Sequence, residues 1–269
     1  MLKRVLVGVI FVPLLILLIL LPPKWVFTCV VAVIAALAAW ELIHASARLT
    51  LPLYCLTALA AAIVPFLMVG RGTWIALVAF LLFSALFFAA VRAYDSDRAI
   101  RYEDLFAALF AGIIMPLFLS ALVYLMGEEH GRILVMFTIG LAFITDAGAY
   151  FAGMLLGKHR GITRVSPNKS LEGFLGGLVT GVIYALIFGL VVRYGLHFHA
   201  NLVWLMVTGL LGGCFTELGD LSFSLIKREC GVKDYGNLLP GHGGMMDRFD
   251  SMVFCAPLVL LFHMIFSLF

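Results

Sequence analysis

The chain has 269 residues, of which 64% are hydrophobic and only 12% are charged, with a mean hydropathy of +1.12. Such values exclude an ordinary soluble domain, in which about a quarter of residues are charged. The formal net charge of +3 says little by itself, because its distribution matters more than its sum, and no nucleic-acid partner is expected.

A helix that crosses a bilayer needs about 20 apolar residues. Nine runs qualify: 5–21, 24–43, 51–70, 73–92, 104–126, 133–156, 171–194, 202–223 and 250–268. They are continuous and lack the period-two alternation of a membrane β-barrel. The expected fold is therefore all-α, a polytopic transmembrane helical protein with about nine spans and a cytoplasm-facing polar cavity. Residues 1–103 read as membrane-scaffold spans and 104–269 as the catalytic transmembrane region. The first run follows Lys3 and Arg4 but ends in Pro22-Pro23-Lys24 with no small-residue cleavage site, so it reads as a retained span.

With nine spans, the N-terminus and the even-numbered loops share one side. That side carries 14 of the 18 Lys and Arg residues: Lys3, Arg4, Arg48, Arg92, Arg98, Arg101, Lys158, Arg160, Arg164, Lys169, Lys227, Arg228, Lys233 and Arg248. Lys24, Arg71, Arg132 and Arg193 fall on the other. The positive-inside rule then puts the N-terminus in the cytoplasm and the C-terminus outside, as for a multi-pass protein of the plasma membrane.

Along the chain, spans one to four hold a single internal acid, Glu41, whose position near a span end suits a side chain reaching the interface. The segment 93–103 pairs Asp95 and Asp97 with Arg98 and Arg101, and mixed charges of this kind read as a solvated loop. Asp146 is different. It lies roughly 16 Å inside span six at 1.5 Å per residue, and a carboxylate at that depth faces a polar cavity or a partner. Loop six opens as a near miss for a phosphate-binding glycine loop, with one residue too few between its glycines and no Ser or Thr after Lys158. Lys169, between Asn168 and Ser170 at a helix start, is its better phosphate candidate. Gly173, Gly177 and Gly181 then recur every four residues, a face for close helix packing. His197 and His199 form an HxH on a short outer loop with no third ligand. The five cysteines (Cys29, Cys55, Cys214, Cys230, Cys255) have no metal-like spacing.

The densest polar stretch runs from Glu217 to Asp250. On a helix, Glu217, Asp220, Ser224, Lys227 and Arg228 share one face, acids deeper and bases at the surface. That order suits a hard divalent cation on the carboxylates, with phosphates bridging to the bases. Gly231, Gly236, Gly241, Gly243 and Gly244 follow and lead into a helix N-terminus, an arrangement that favours anions. Asp247 and Asp250 stand at the start of that helix, where either could cap it.

Ser224, Lys227, Arg228, Lys233, Asp234, Gly236, Leu239, Pro240, His242, Gly243, Gly244, Asp247, Arg248 and Asp250 together resemble the C-terminal motif of the CDP-diacylglycerol synthases, the phosphatidate cytidylyltransferases. The stretches SPNKSLEG (166–173) and DAGAYFAG (146–153) look like the same family. The resemblance is specific over 140–250, and residues 1–100 match only as hydrophobic spans. It implies transfer of a cytidylyl group from CTP to phosphatidate, giving CDP-diacylglycerol and pyrophosphate for phospholipid biosynthesis. It further implies Mg²⁺ on Asp220 and Asp247, with Asp250, Glu217 and Asp146 as secondary ligands. Lys227, Arg228, Lys233, Arg248 and Lys169 would neutralise substrate phosphates, and His242 would orient a phosphate or brace the glycine turn. Asn168, Ser170, Ser224, Gly243 and Gly244 would line the substrate. A second, monovalent cation and a homodimer are left open. The alternatives are a CTP-dependent lipid kinase, which would transfer the γ-phosphate, and a secondary transporter, which would show internal repeats.

Overall fold

Hydrocarbon offers no partners for backbone N–H and C=O groups, so a chain that crosses it closes its hydrogen bonds within helices. A computed structural model describes residue 13 and residues 15–70, 74–94, 99–161, 163–238 and 243–269. Most of the first apolar run, the Asp95/Asp97 pair, Lys3, Arg4, Arg71, Arg98, Leu239, Pro240, Gly241 and His242 lie outside the described residues. Among the described residues, eight helices are long and apolar enough to cross a membrane: α1 Lys24–Ser46, α2 Leu51–Val69, α3 Ile75–Ala93, α4 Tyr102–Gly127, α5 Gly131–Leu156, α6 Leu171–Gly195, α7 Leu202–Glu229 and α8 Met246–Phe266. The protein is an all-α, multi-pass integral membrane protein. Arg160 and Ser170 form an isolated antiparallel bridge.

These helices correspond to the second through ninth apolar runs, with two informative differences at their ends. The seventh helix continues through the polar residues to Glu229 and does not stop at 223. The last begins at Met246, not 250, which brings Asp247 and Arg248 into its first turn. Hydropathy marks where hydrocarbon ends, whereas the helix ends where its backbone bonding ends.

The chain forms two compact units. The first comprises the described residues up to Gly127 together with Glu229–Phe249; the second comprises Glu128–Arg228 with Asp250–Phe269. In the first unit, Ala60 and Val64 of α2, Leu82 and Leu86 of α3, and Leu105, Ala108 and Ile113 of α4 form a buried cluster. Asp104 ties α4 to the end of α1, its two carboxylate oxygens accepting the backbone N–H groups of Arg48 at 2.9 Å and Arg101 at 3.0 Å.

The second unit is built on close backbone approach. Gly173 and Gly177 of α6 lie against Ala149 of α5, and Gly181 of α6 crosses Gly209 of α7. A Cβ on Gly181 would lie 2.7 Å from the Gly209 carbonyl oxygen, and one on Gly209 would lie 2.6 Å from that of Gly181. With little hydrophobic driving force between helices in lipid, such contacts supply association through packing. The glycine stripe read from the sequence is thus a two-sided seam. Gly181→Ala is expected to destabilise the protein by about 1–3 kcal/mol through overpacking against backbone that cannot rotate away. Gly127→Ala, whose Cβ would meet nothing within 4 Å, is the matched control. Thermal unfolding in detergent checks this, and equal melting of the two variants would contradict the seam.

Candidate active site

In the second unit the site begins with a helical period. Glu217, Asp220, Ser224 and Lys227 recur at three- and four-residue steps and line one face of α7. Glu217, Ser224 and Lys227 are buried, while Arg228 is exposed and its Nε donates to the Val165 carbonyl oxygen at 3.4 Å. Asp220 lies well inside the helix rather than at its end.

Loop six folds back on itself to meet this face. Gly161 N–H donates to the Lys169 carbonyl at 3.2 Å, and Leu171 N–H donates to that of His159 at 3.0 Å. Ser170 caps α6, its Oγ accepting the Gly173 N–H at 3.1 Å. His159 Nδ1 lies 2.6 Å from Glu172 Oε1. Held by this hairpin, Lys169 sends its ammonium between two carboxylates, 2.5 Å from Glu217 Oε2 and 2.6 Å from Asp220 Oδ2. Burial works to lower the Lys169 pKa, but Asp220 and Glu217 together outweigh it, so the value is raised and the group is charged at neutral pH. The sequence singled out Lys169 as a phosphate ligand; here it neutralises the acids expected to hold a metal. Asn168 beside it is exposed.

Two further acids join from other helices of the same unit. Asp250 of α8 accepts the Ser251 backbone N–H at 2.8 Å. Asp146 of α5 is hydrogen-bonded to the Ser251 side chain and interacts electrostatically with Asp250, Asp220 and Glu217. Four carboxylates from three helices thus share one electrostatic neighbourhood. Among the described residues, no group of three acidic, histidine or cysteine side chains forms a complete metal ligand set. That donor chemistry still fits Mg²⁺, which takes one or two protein carboxylates and completes its shell with phosphate and water.

In the first unit the glycine-rich loop is organised by carboxylates too. Asp247 is buried, and its Oδ2 accepts the N–H groups of Tyr235 and Gly244, each at 2.9 Å. Gly243 has φ +79°, a left-handed conformation that a residue without Cβ adopts at no steric cost. The Gly244 N–H, expected to meet a substrate phosphate, is directed at Asp247. Lys233 and Arg248 are exposed.

Glu41, read from the sequence as a span-end group reaching the interface, instead meets the backbone at the start of α8. Its Oε1 accepts the Met245 N–H at 3.0 Å and its Oε2 accepts the Met246 N–H at 2.8 Å. The available signal was its isolation as the sole acid within the first four apolar runs.

The sequence pattern of the Cytidylyltransferase family matches residues 2–266. Among curated proteins, the chain is 40% identical over 140 residues to a phosphatidate cytidylyltransferase of Bacillus subtilis (strain 168), covering 52% of this chain and 51% of that protein. It is 40% identical over 139 residues to a Staphylococcus haemolyticus protein of the same name, covering 51% and 52%. A Staphylococcus aureus (strain COL) protein of that name is 41% identical over 132 residues, 49% of each chain. The chain thus aligns with about half the length of the curated relatives it matches.

Replacing Lys169 by Met leaves Glu217 and Asp220 adjacent without the ammonium between them. The Lys169→Met protein is expected to lose about 1–3 kcal/mol of stability, less than for a fully buried pair because Lys169 and Asp220 are partly exposed. Glu217→Gln, which keeps the Asp220 contact, is expected to lose less. Thermal melting of both variants in metal-free detergent buffer checks the order, and the reverse order would contradict the bridging role.

Proposed function

The chain belongs to the Cytidylyltransferase family, and on that premise we propose that it transfers the cytidylyl group of CTP to phosphatidate. The products are CDP-diacylglycerol, for phospholipid biosynthesis, and pyrophosphate. The observation that carries this reading is the polar face of α7, with Glu217 and Asp220 deep, Lys227 and Arg228 above them, and Lys169 delivered to it by loop six. Relatives named phosphatidate cytidylyltransferase support the same substrate class.

In this reaction a phosphate oxygen of phosphatidate attacks the α-phosphorus of CTP. The bond from that phosphorus to the β-phosphate's bridging oxygen breaks, and pyrophosphate leaves with the electron pair. The attacking oxygen is already ionised at neutral pH, so the chain need not supply a base. Its task is to hold two anionic substrates together and to stabilise charge on the transferring group. Lys227, Arg228, Lys233 and Arg248 supply the cations, and Lys169 keeps the acids of α7 from repelling the incoming phosphates. Ser224 donates from the same face. Asp220 is the metal ligand proposed for the second unit, with Glu217, Asp250 and Asp146 as secondary candidates. Asp247 is the metal ligand proposed for the first unit. Mg²⁺, when bound, supplies charge neutralisation on the phosphates.

We further place the N-terminus and the segments 157–170 and 229–245 in the cytoplasm, where CTP is made, and the protein in the plasma membrane. Single cysteines at 164 and 233 in a cysteine-free background are expected to resist membrane-impermeant maleimide in intact cells and to react after permeabilisation. Labelling of either in intact cells would overturn this orientation.

Purified protein is expected to release pyrophosphate from CTP only when phosphatidate is present; release of CDP instead would assign the chain to lipid phosphorylation. Asp220→Asn and Asp247→Asn remove charge but keep size, and turnover is expected to fall about a thousandfold or more if several kcal/mol of transition-state stabilisation depend on each. Turnover across a magnesium titration, with melting measured in parallel, checks both. Near-normal turnover at low magnesium would remove that residue from the ligand set.

A further inference from the structure

We infer that Glu41 is a positioning residue for the reaction: its carboxylate clasps the start of α8 and thereby sets the orientation of Asp247 and Arg248. The inference rests on the cytidylyl-transfer reading for its kinetic consequence, but the clasp itself stands on geometry.

Glu41 and the helix start it caps are separated by more than 200 residues of sequence. Both belong to the first unit. Each oxygen takes one backbone donor, Met245 N–H at 3.0 Å and Met246 N–H at 2.8 Å. These are among the groups that a helix N-terminus leaves without intrahelical partners. A carboxylate there also lies at the positive end of the helix dipole. The contact is therefore an N-cap supplied from another helix.

The surroundings are shaped to admit it. A Cβ on Gly236 would lie 2.6 Å from Glu41 Oε1, and a Cβ on Gly244 would run into Glu41 Oε2. Two glycines of the loop thus leave the space that the carboxylate fills. The end of α1 offers little freedom to yield, because Ala38, Ala39, Leu42 and Ile43 around Glu41 are all buried. On the other side Met246 is fully buried and Phe249 nearly so. The clasp consequently joins two fixed backbones. Asp247 and Arg248 directly follow the second clasped residue, and Asp247 in turn gathers the loop through Tyr235 and Gly244.

Glu41 makes these contacts with backbone alone, so its effect on chemistry passes through the residues it orients. Displacing a charged group by about 1 Å can cost on the order of 100-fold in rate. An apolar scaffold helix thereby governs the geometry of a polar motif at the far end of the chain.

The test compares wild type with Glu41→Gln, Glu41→Ala, Gly244→Ala and the Glu41→Ala/Gly244→Ala double variant in detergent. Amide hydrogen exchange of the 243–248 segment and steady-state kinetics are read for each. Glu41→Gln retains one acceptor and is expected to fold, to speed exchange at 245 and 246 at least tenfold, and to lower kcat about 10–100-fold. The KM for CTP is expected to stay within about threefold, since both Glu41 oxygens are taken by backbone N–H groups. Gly244→Ala is expected to be severe in wild type and much milder when Glu41 is Ala, because the collision partner is gone. Unchanged exchange in Glu41→Gln would overturn the clasp. Faster exchange with unchanged kcat would overturn the positioning role, as would equal severity of Gly244→Ala in both backgrounds or a Glu41→Gln protein that does not fold. Wild-type protein without CTP-dependent turnover would defeat the functional reading on which the kinetic role rests, while the exchange arm would still decide the clasp.

Discussion

The ammonium of Lys169 between Glu217 and Asp220 is the contact on which the second unit's polar chemistry depends. Glu217 is nearly fully buried, and a carboxylate taken out of water is costly without a partner. Lys169 supplies that partner, and its own raised pKa expresses the same attraction from the other side. The small hairpin of loop six, the Ser170 cap and the His159–Glu172 pair together hold the lysine in place. A loop whose positive charge would otherwise serve only topology becomes part of the site.

The first unit solves the same problem with backbone donors. Asp247, Glu41 and Asp104 each accept two N–H groups from segments distant from one another along the chain or at helix starts. In each case a carboxylate gathers backbone donors from loops or helix starts that lack intrahelical partners. One consequence concerns anion binding. The N-terminus of α8 and its glycine loop have the features of a phosphate site, yet the N–H groups of Gly244, Met245 and Met246 are directed at the protein's own Asp247 and Glu41. Lys233 and Arg248, in the same unit, are exposed.

The helices were legible because hydrophobic runs in a membrane chain admit one backbone solution. The Gly173, Gly177 and Gly181 stripe was legible because a four-residue period implies a helix face. The polar face of α7 followed from the same periodicity. Partner identity was not legible: nothing local distinguishes a lysine that will meet phosphate from one that will meet Glu217, since the choice depends on how loop six folds back. Glu41 was misread for the same reason. Its role is set by a pairing more than 200 residues away, and a lone acid near a helix end has a simpler reading as an interface group. The apolar runs stop at 223 and begin at 250 because hydropathy reports solvent, whereas the polar period through Lys227 and the acids at 247 and 250 already carried both helices past those limits.

Lys169 stabilises the site by answering the charge of two adjacent acids. A double-mutant cycle measures this most directly. Lys169→Met, Asp220→Asn and their combination are compared by thermal unfolding in metal-free detergent buffer, with Glu217→Gln in place of Asp220→Asn as a second cycle. Removing a carboxylate charge is expected to cost far less in the Lys169→Met background than in wild type, or to restore stability, because the uncompensated charge is what destabilises the single variant. Strict additivity in both cycles would contradict it.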